Sequence, residues 1–155
     1  MSAIPEGYNR VIPYLVVEGA ADALAFYAKA FGALEVMRMP MPNGRLMHAE
    51  FTIGGSHIFM ADVFPGMGGK SPIEVGGVTG AIHLYVEDVD ASFNRAVAAG
   101  ATVKTPPTNM FWGDRFAKVR DPFGHEWSLA THIEDVSPEE MGRRAEAFAK
   151  QMGKQ

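Results

Sequence analysis

The sequence contains no cysteine, which excludes disulfide bonds, thiolate metal sites and cysteine nucleophiles together. Basic residues are few, since 14 Lys and Arg stand against 18 Asp and Glu, and the net charge is -4. This balance predicts no nucleic-acid partner. There is also no basic and apolar leader, and no run approaching the roughly 20 apolar residues of a membrane span. We therefore expect a soluble cytoplasmic protein with no membrane partner.

An internal repeat is the most informative feature that is present. Residues 13–33 resemble residues 82–101, and each segment reads as a strand followed by a helix that ends at a glycine. Further strands follow in both halves. The matched positions include Leu15 with Leu84, Val17 with Val86, and Gly32 with Gly100. The repeat predicts two fused copies of one βαβββ unit.

Apolar periodicity divides the chain into two modules, residues 9–64 and 80–132, separated by a glycine-rich linker at 65–79. The first module has predicted strands at 11–17, 34–38, 46–53 and 56–63 and a helix at 20–31. The second has predicted strands at 81–86, 102–104, 115–120 and 126–131 and a helix at 89–99. At 47% hydrophobic content, 155 residues are enough for one domain with a substantial core.

A further helix is predicted at 137–152. Ser137 suits the N-cap, Pro138 the first helical position and Glu140 the third, which is a typical helix start. Its narrow apolar stripe packs either on its own domain or on a partner subunit. The expected fold is thus α+β, with two tandem βαβββ modules that form a curved, cleft-bearing mixed sheet, plus a C-terminal helix.

Several segments carry a family resemblance. The paired modules, the AFY sequence at 25–27 and DPFGHEWSL at 121–129 resemble the vicinal oxygen chelate superfamily of glyoxalases, bleomycin resistance proteins and extradiol dioxygenases. Residues 112–141 look especially like its PhnB-like branch. The resemblance implies a homodimer, because this superfamily commonly completes its clefts from two chains. It leaves enzyme and binding protein both open, since the fold hosts both.

The resemblance also implies where a metal would bind. Metal enzymes of this superfamily place four ligands on the first and last strands of the modules. In this chain those positions fall at Ile12, at Phe59 or Met60, at Ala81 and at Ser128. A serine hydroxyl is at best a weak ligand and the other side chains have nothing to donate. We therefore expect a vacated metal site and no cofactor.

A relocated site is the alternative. His48 and Glu50 share one face of a predicted strand, and His83 lies two residues beyond Ala81 on the same face. These three side chains are candidates for a divalent-metal site or for acid–base catalysis in a lyase, isomerase or dioxygenase. The other interpretation is that they are ordinary polar residues lining a wet cavity.

Ligand-binding side chains are expected on the concave faces of the modules. Tyr14, Tyr85 and Ser128 alternate onto these faces. Trp112, Arg115 and Phe116 surround the entry to the seventh strand, where an aromatic ring beside an arginine suits a planar ligand carrying a carboxylate or phosphate. Alternatively, the Trp112 side chain has a structural role and fills the interior of its loop, and Arg115 pairs with Asp114, Asp121 or a partner subunit. The sequence favours a protein that binds or sequesters a small organic molecule over an enzyme.

Overall fold

The computed structural model describes residues 1–154, which form eight strands and four helices. The predicted α+β fold of two tandem βαβββ modules with a C-terminal helix is confirmed. The elements are β1 Tyr14–Val17, α1 Ala20–Phe31, β2 Leu34–Pro40, β3 Leu46–Ile53, β4 Ser56–Asp62, α2 Pro72–Val75, β5 Ala81–Tyr85, α3 Val89–Ala99, β6 Thr102–Asn109, β7 Asp114–Arg120, β8 Glu126–His132 and α4 Pro138–Met152.

The strands form two four-stranded mixed sheets of identical topology. Their orders are β1-β4-β3-β2 and β5-β8-β7-β6. In each sheet the first and last strands of the module are parallel neighbours, and the remaining pairs are antiparallel. The sequence repeat is therefore a repeat of strand order and register. Strands β1 and β5 each lie at a sheet edge and do not pair with one another within residues 1–154.

Two elements differ from the prediction by more than a few residues. Strand β6 continues through Pro106 and Pro107, whereas the prediction ended at 104; an edge strand tolerates prolines because half of its N–H groups need no partner. Within the predicted linker, helix α2 begins at Pro72, and the Ser71 hydroxyl accepts a hydrogen bond from Glu74 N at 3.1 Å. The other boundaries agree to within three residues.

One aromatic core joins the modules. The Tyr27 ring of α1 lies 5.2 Å from Phe51 and 5.1 Å from Trp127, so side chains of both sheets meet across the helices. Asp121 lies within this core and is 3% exposed. Its Oδ2 accepts hydrogen bonds from Tyr27 Oη at 2.6 Å and Trp127 Nε1 at 2.8 Å. Its Oδ1 accepts from the backbone N–H groups of Phe123 and His125.

Each sheet also has a face that points away from this core. We call the side of the first sheet that carries Tyr14, His48, Glu50 and Phe59 the first outer face. The side of the second sheet that carries His83, Tyr85, Phe116 and Ser128 is the second outer face. These are the faces that the sequence predicted to line a concave cleft. Strand alternation produces them, because Leu15, Ala49 and Met60 point inward from the same strands and are buried.

Helix α4 contacts its own module but buries none of its residues. Arg144 holds the helix against the module by donating hydrogen bonds to Phe111 O at 3.0 Å and Glu134 Oε1 at 2.8 Å. The Phe148 ring lies 5.1 Å from Phe111. Of the two alternatives for its apolar stripe, contact with its own domain is thus present, although Phe148 remains exposed. No helix within residues 1–154 is long and apolar enough to cross a membrane.

Candidate functional site

The first outer face carries a continuous chain of hydrogen bonds. Tyr14 Oη lies 2.7 Å from His48 Nδ1, and His48 Nε2 lies 3.1 Å from Glu50 Oε1. The second oxygen of Glu50 accepts a hydrogen bond from Tyr8 Oη at 2.6 Å. Burial raises the pKa of Glu50, but the hydrogen bonds from Tyr8 and His48 outweigh it and hold the pKa below its usual value. Glu50 is therefore a carboxylate at neutral pH.

The segment that precedes β1 covers part of this face. Tyr8 stacks on His57 with ring centroids 4.2 Å apart, and Phe59 lies edge-on to the Tyr14 ring at 5.6 Å. Between the segment and the sheet lies a pocket of about 480 Å³. Its lining includes Ile4, Pro5, Tyr8, Ile12, Glu50 and Phe59, together with Arg10, which is exposed. Tyr8 was not predicted as part of the site, because residues before the first strand have no periodicity that assigns them to a face.

The second outer face holds a row of aromatic rings. His83 Nδ1 lies 2.6 Å from Ser128 Oγ, and the His83 ring stacks on Phe116 at 6.3 Å. The row extends to Tyr85 on one side, 5.0 Å from His83, and to Trp112 on the other, 6.2 Å from Phe116. Four of the six predicted ligand-binding residues thus lie together here, while Tyr14 lies on the first outer face.

Arg115 is not part of that row. Its guanidinium forms a two-pronged ion pair with Asp90 of α3, at 2.7 and 3.0 Å, and also contacts Asn109 Oδ1. The structure thus separates Arg115 from Trp112 and Phe116, with which it was expected to form one site, since Arg115 and Phe116 are successive strand residues and point to opposite sides of β7. Its partner is neither Asp114 nor Asp121. The hydrogen bonds from Arg115 lower the pKa of Asp90.

Asp114 is a buried group of the second sheet, and it was predicted only as a possible partner of Arg115. Its two oxygens contact Tyr85 Oη at 2.8 Å and His132 Nδ1 at 2.9 Å. Burial raises its pKa, but these hydrogen bonds lower it further than burial raises it. His132 contacts Asp135 through its other nitrogen, and Asp135 and then Asp114 raise the pKa of His132. Asp114 on β7 lies directly opposite His132 on β8. Periodicity did not predict this pair, because it depends on the register between the two strands.

The positions implied for a metal do not fit one. Phe59 lies on the first outer face opposite Tyr14, whereas Met60 points into the core and is 0% exposed; Met60 is therefore not a cleft position. Ile12 and Ala81 offer no donor atom, and the Ser128 hydroxyl already bonds to His83. Nor does one chain assemble the alternative, since His83 lies on the other sheet from His48 and Glu50. Within residues 1–154 no three His, Cys, Asp or Glu side chains are placed to hold a metal ion.

Comparison with known proteins agrees with this architecture. The uncharacterized protein Rv0887c of Mycobacterium tuberculosis is 49% identical over 132 residues, which cover 83% of this chain and 78% of the relative. The crystal structure of TioX from Micromonospora sp. ML1 is similar with a TM-score of 0.64 and 28% identity, covering 81% of this chain and 99% of TioX. The PhnB protein of Bacillus cereus shares the fold, with a TM-score of 0.62 at 19% identity over 79% of this chain and 99% of its own.

The family model of the Glyoxalase/Bleomycin resistance protein/Dioxygenase superfamily matches residues 8–129. This match covers the first βαβββ module from Tyr8 and the second as far as Leu129 in β8, including the aromatic row of the second outer face. The chain belongs to the glyoxalase, bleomycin resistance protein and dioxygenase superfamily.

Proposed function

We propose that this protein binds a small, largely planar organic molecule on its outer faces without using a metal. The observation that supports this most is the pocket of about 480 Å³ between the N-terminal segment and the first outer face, which is in the size range of small-molecule sites. Its walls combine apolar side chains with the rings of Tyr8 and Phe59. The PhnB-like branch is the narrower assignment that we propose for residues 112–141.

The charge in the pocket suggests the chemistry of the ligand. Glu50 is largely buried and ionised, so it favours a ligand that carries an amine or another strong hydrogen-bond donor. Arg10 also lines the pocket, but water screens an exposed charge of this kind. Because Arg115 is paired with Asp90, the anionic ligand suggested by the sequence loses its main support. We propose Tyr14, Tyr85, Trp112, Phe116 and Ser128 as further contacts.

We also propose that two copies of the chain complete the cleft. In one chain the two outer faces point away from the shared core, so they do not enclose a ligand between them. Tyr14 on β1 and Tyr85 on β5 are 54% and 66% exposed, and both strands lie at sheet edges that have no partner within the described chain. An unpaired edge beside an exposed aromatic face is suited to association with a second copy.

Ligand binding is tested by thermal unfolding with matched aromatic amines and aromatic carboxylates. At a hundred times Kd, a ligand adds about 2.7 kcal/mol and raises Tm by roughly 5–10 °C for a chain of this size. We expect the larger shifts from amines, and expect Phe59→Ala and Glu50→Gln to reduce them. Met67→Ala, in the exposed linker, is the control and keeps the shift. Shifts that are equal for both series, or that survive both pocket substitutions, contradict the proposal.

Dimerisation is tested by sedimentation equilibrium. We expect a dimer, and expect Tyr85→Arg to weaken it because a charge enters the proposed interface while Asp114 keeps a partner. Val103→Arg, at the opposite edge strand β6, is the matched control and leaves the dimer intact. A wild-type monomer at all concentrations, or a Tyr85→Arg dimer of unchanged affinity, refutes the two-chain cleft; the pocket under Tyr8 lies within one chain and does not depend on it.

A further inference from the structure

Glu50, His48 and Tyr14 occur in an order that has chemical meaning. The carboxylate contacts one imidazole nitrogen at 3.1 Å, and the other imidazole nitrogen contacts the phenolic oxygen at 2.7 Å. A carboxylate, an imidazole and a hydroxyl in series are the components by which enzymes withdraw a proton from a hydroxyl group. Such a constellation is recognised by geometry and not by sequence order.

The direction of these hydrogen bonds follows from the charge of Glu50. Because Glu50 is ionised, it can only accept, so His48 Nε2 carries the hydrogen between them. In the neutral imidazole the other nitrogen, Nδ1, is then an acceptor. Tyr14 Oη must donate to it. The tautomer of His48 is thus fixed by its carboxylate partner, and the proton of Tyr14 points at the nitrogen that would receive it.

The burial of the three groups matches these roles. The side chains of Glu50 and His48 are only 12% and 18% exposed, whereas Tyr14 is 54% exposed on the first outer face. The two groups that draw the proton are sheltered from water, and the group that would meet a substrate is accessible. Phe59, edge-on to both Tyr14 and His48, restricts both rings.

We propose that Glu50, His48 and Tyr14 form a proton relay that makes the Tyr14 oxygen an acid–base group toward small carbonyl compounds on the first outer face. Tyr14 is the catalytic residue, and His48 and Glu50 are positioning residues that act through it. The inference goes beyond the proposed ligand binding, because it assigns a chemical step. It does not depend on the pocket under Tyr8.

The step balances without a co-reactant. A proton leaves the carbon next to the substrate carbonyl for Tyr14 Oη, while the original phenolic proton moves to His48 Nδ1. The electrons of the broken C–H bond remain on the substrate as an enolate, and Glu50 balances the imidazolium. Return of the proton to a different substrate atom gives an isomer and restores all three residues. A relay that moves one proton between two substrate atoms in this way suits isomerisation.

The test uses N-acetylimidazole, which acetylates accessible tyrosine oxygens, and quantifies each site by peptide mass spectrometry. The Tyr14 oxygen attacks the acetyl carbon while the phenolic proton passes to His48, and the departing imidazole nitrogen then takes up that proton. Tyr85 is the internal control, since it is at least as accessible as Tyr14 but donates to Asp114, which raises the pKa of Tyr85. Tyr27 is fully buried and reports the integrity of the fold.

In the wild-type chain we expect Tyr14 to be acetylated about tenfold faster than Tyr85, or more. In His48→Phe, which keeps an aromatic ring beside Phe59, the Tyr14 rate falls by a similar factor while Tyr27 stays unmodified. In Glu50→Gln we expect an intermediate Tyr14 rate. If Tyr27 becomes reactive in His48→Phe, that variant has lost its fold, and Glu50→Gln becomes the deciding variant. Equal rates at Tyr14 and Tyr85 in the wild type, or a Tyr14 rate that is independent of residues 48 and 50, overturn the relay.

Discussion

Replacing Asp121 by asparagine is expected to lower the free energy of unfolding by about 2–4 kcal/mol, although the two side chains have nearly the same shape. Asp121 accepts four hydrogen bonds in the core, two on each oxygen. An amide has one oxygen and one donating nitrogen. In one orientation the nitrogen faces the indole N–H of Trp127, and in the other it faces two backbone N–H groups. Either way a buried donor loses its acceptor.

Urea unfolding followed by tryptophan fluorescence measures this loss. Asp135→Asn is the matched control, because the side chain of Asp135 is fully exposed and its substitution is expected to change stability by no more than about 0.5 kcal/mol. Equal unfolding midpoints for Asp121→Asn and the wild type would show that the carboxylate is not required as an acceptor in the core.

Replacing Gly113 by alanine is expected to cost about 3 kcal/mol. Gly113 has φ +102, a region that alanine avoids, and a Cβ there would lie 2.3 Å from the backbone oxygen of Glu134. Backbone atoms cannot move aside as a side chain can. The Gly113 carbonyl also accepts hydrogen bonds from Ile133 N and Glu134 N, which hold the segment between β8 and α4 against the sheet. The segment between β8 and α4 must therefore move away from residue 113 to make room for the methyl group.

Chemical denaturation again provides the measurement, and α4 provides the control. A Cβ at Gly142 would meet nothing within 4 Å, so Gly142→Ala is expected to stabilise the chain by roughly 0.5–1 kcal/mol through helix propensity. The two glycine substitutions thus have opposite predicted signs. A Gly113→Ala protein as stable as the wild type would mean that the segment between β8 and α4 is not fixed against residue 113.

Periodicity predicted most of the fold, because two kinds of local signal agreed with it. The bounds of α1, β3 and α3 match the prediction, since each of the two helices ends at a glycine and β3 alternates cleanly. Strand β6 was cut short because its tolerance of Pro106 and Pro107 depends on its being an edge strand, which is a property of the assembled sheet. The local sequence does not show whether a strand will lie at the edge of a sheet.

The site was predicted less completely, because its geometry depends on contacts between segments. Alternation placed His48 with Glu50 and His83 with Ser128, but it did not show that the two pairs lie on separate sheets. Arg115 was assigned by its proximity in sequence to Trp112, and the alternation of β7 turned it toward Asp90. Tyr8 lies outside any regular element and contacts Glu50 across 42 positions of sequence separation.

The position of Asp121 has a consequence for how the chain folds. The carboxylate belongs to the second half, yet it accepts a hydrogen bond from the Tyr27 hydroxyl in the first. If the first half unfolded alone, the second would keep a buried carboxylate that lacks its Tyr27 donor, and its aromatic core would be exposed to water. Such an intermediate is high in free energy. We therefore expect the two halves to unfold in a single cooperative transition, so that the descendants of the original duplication are no longer independent folding units.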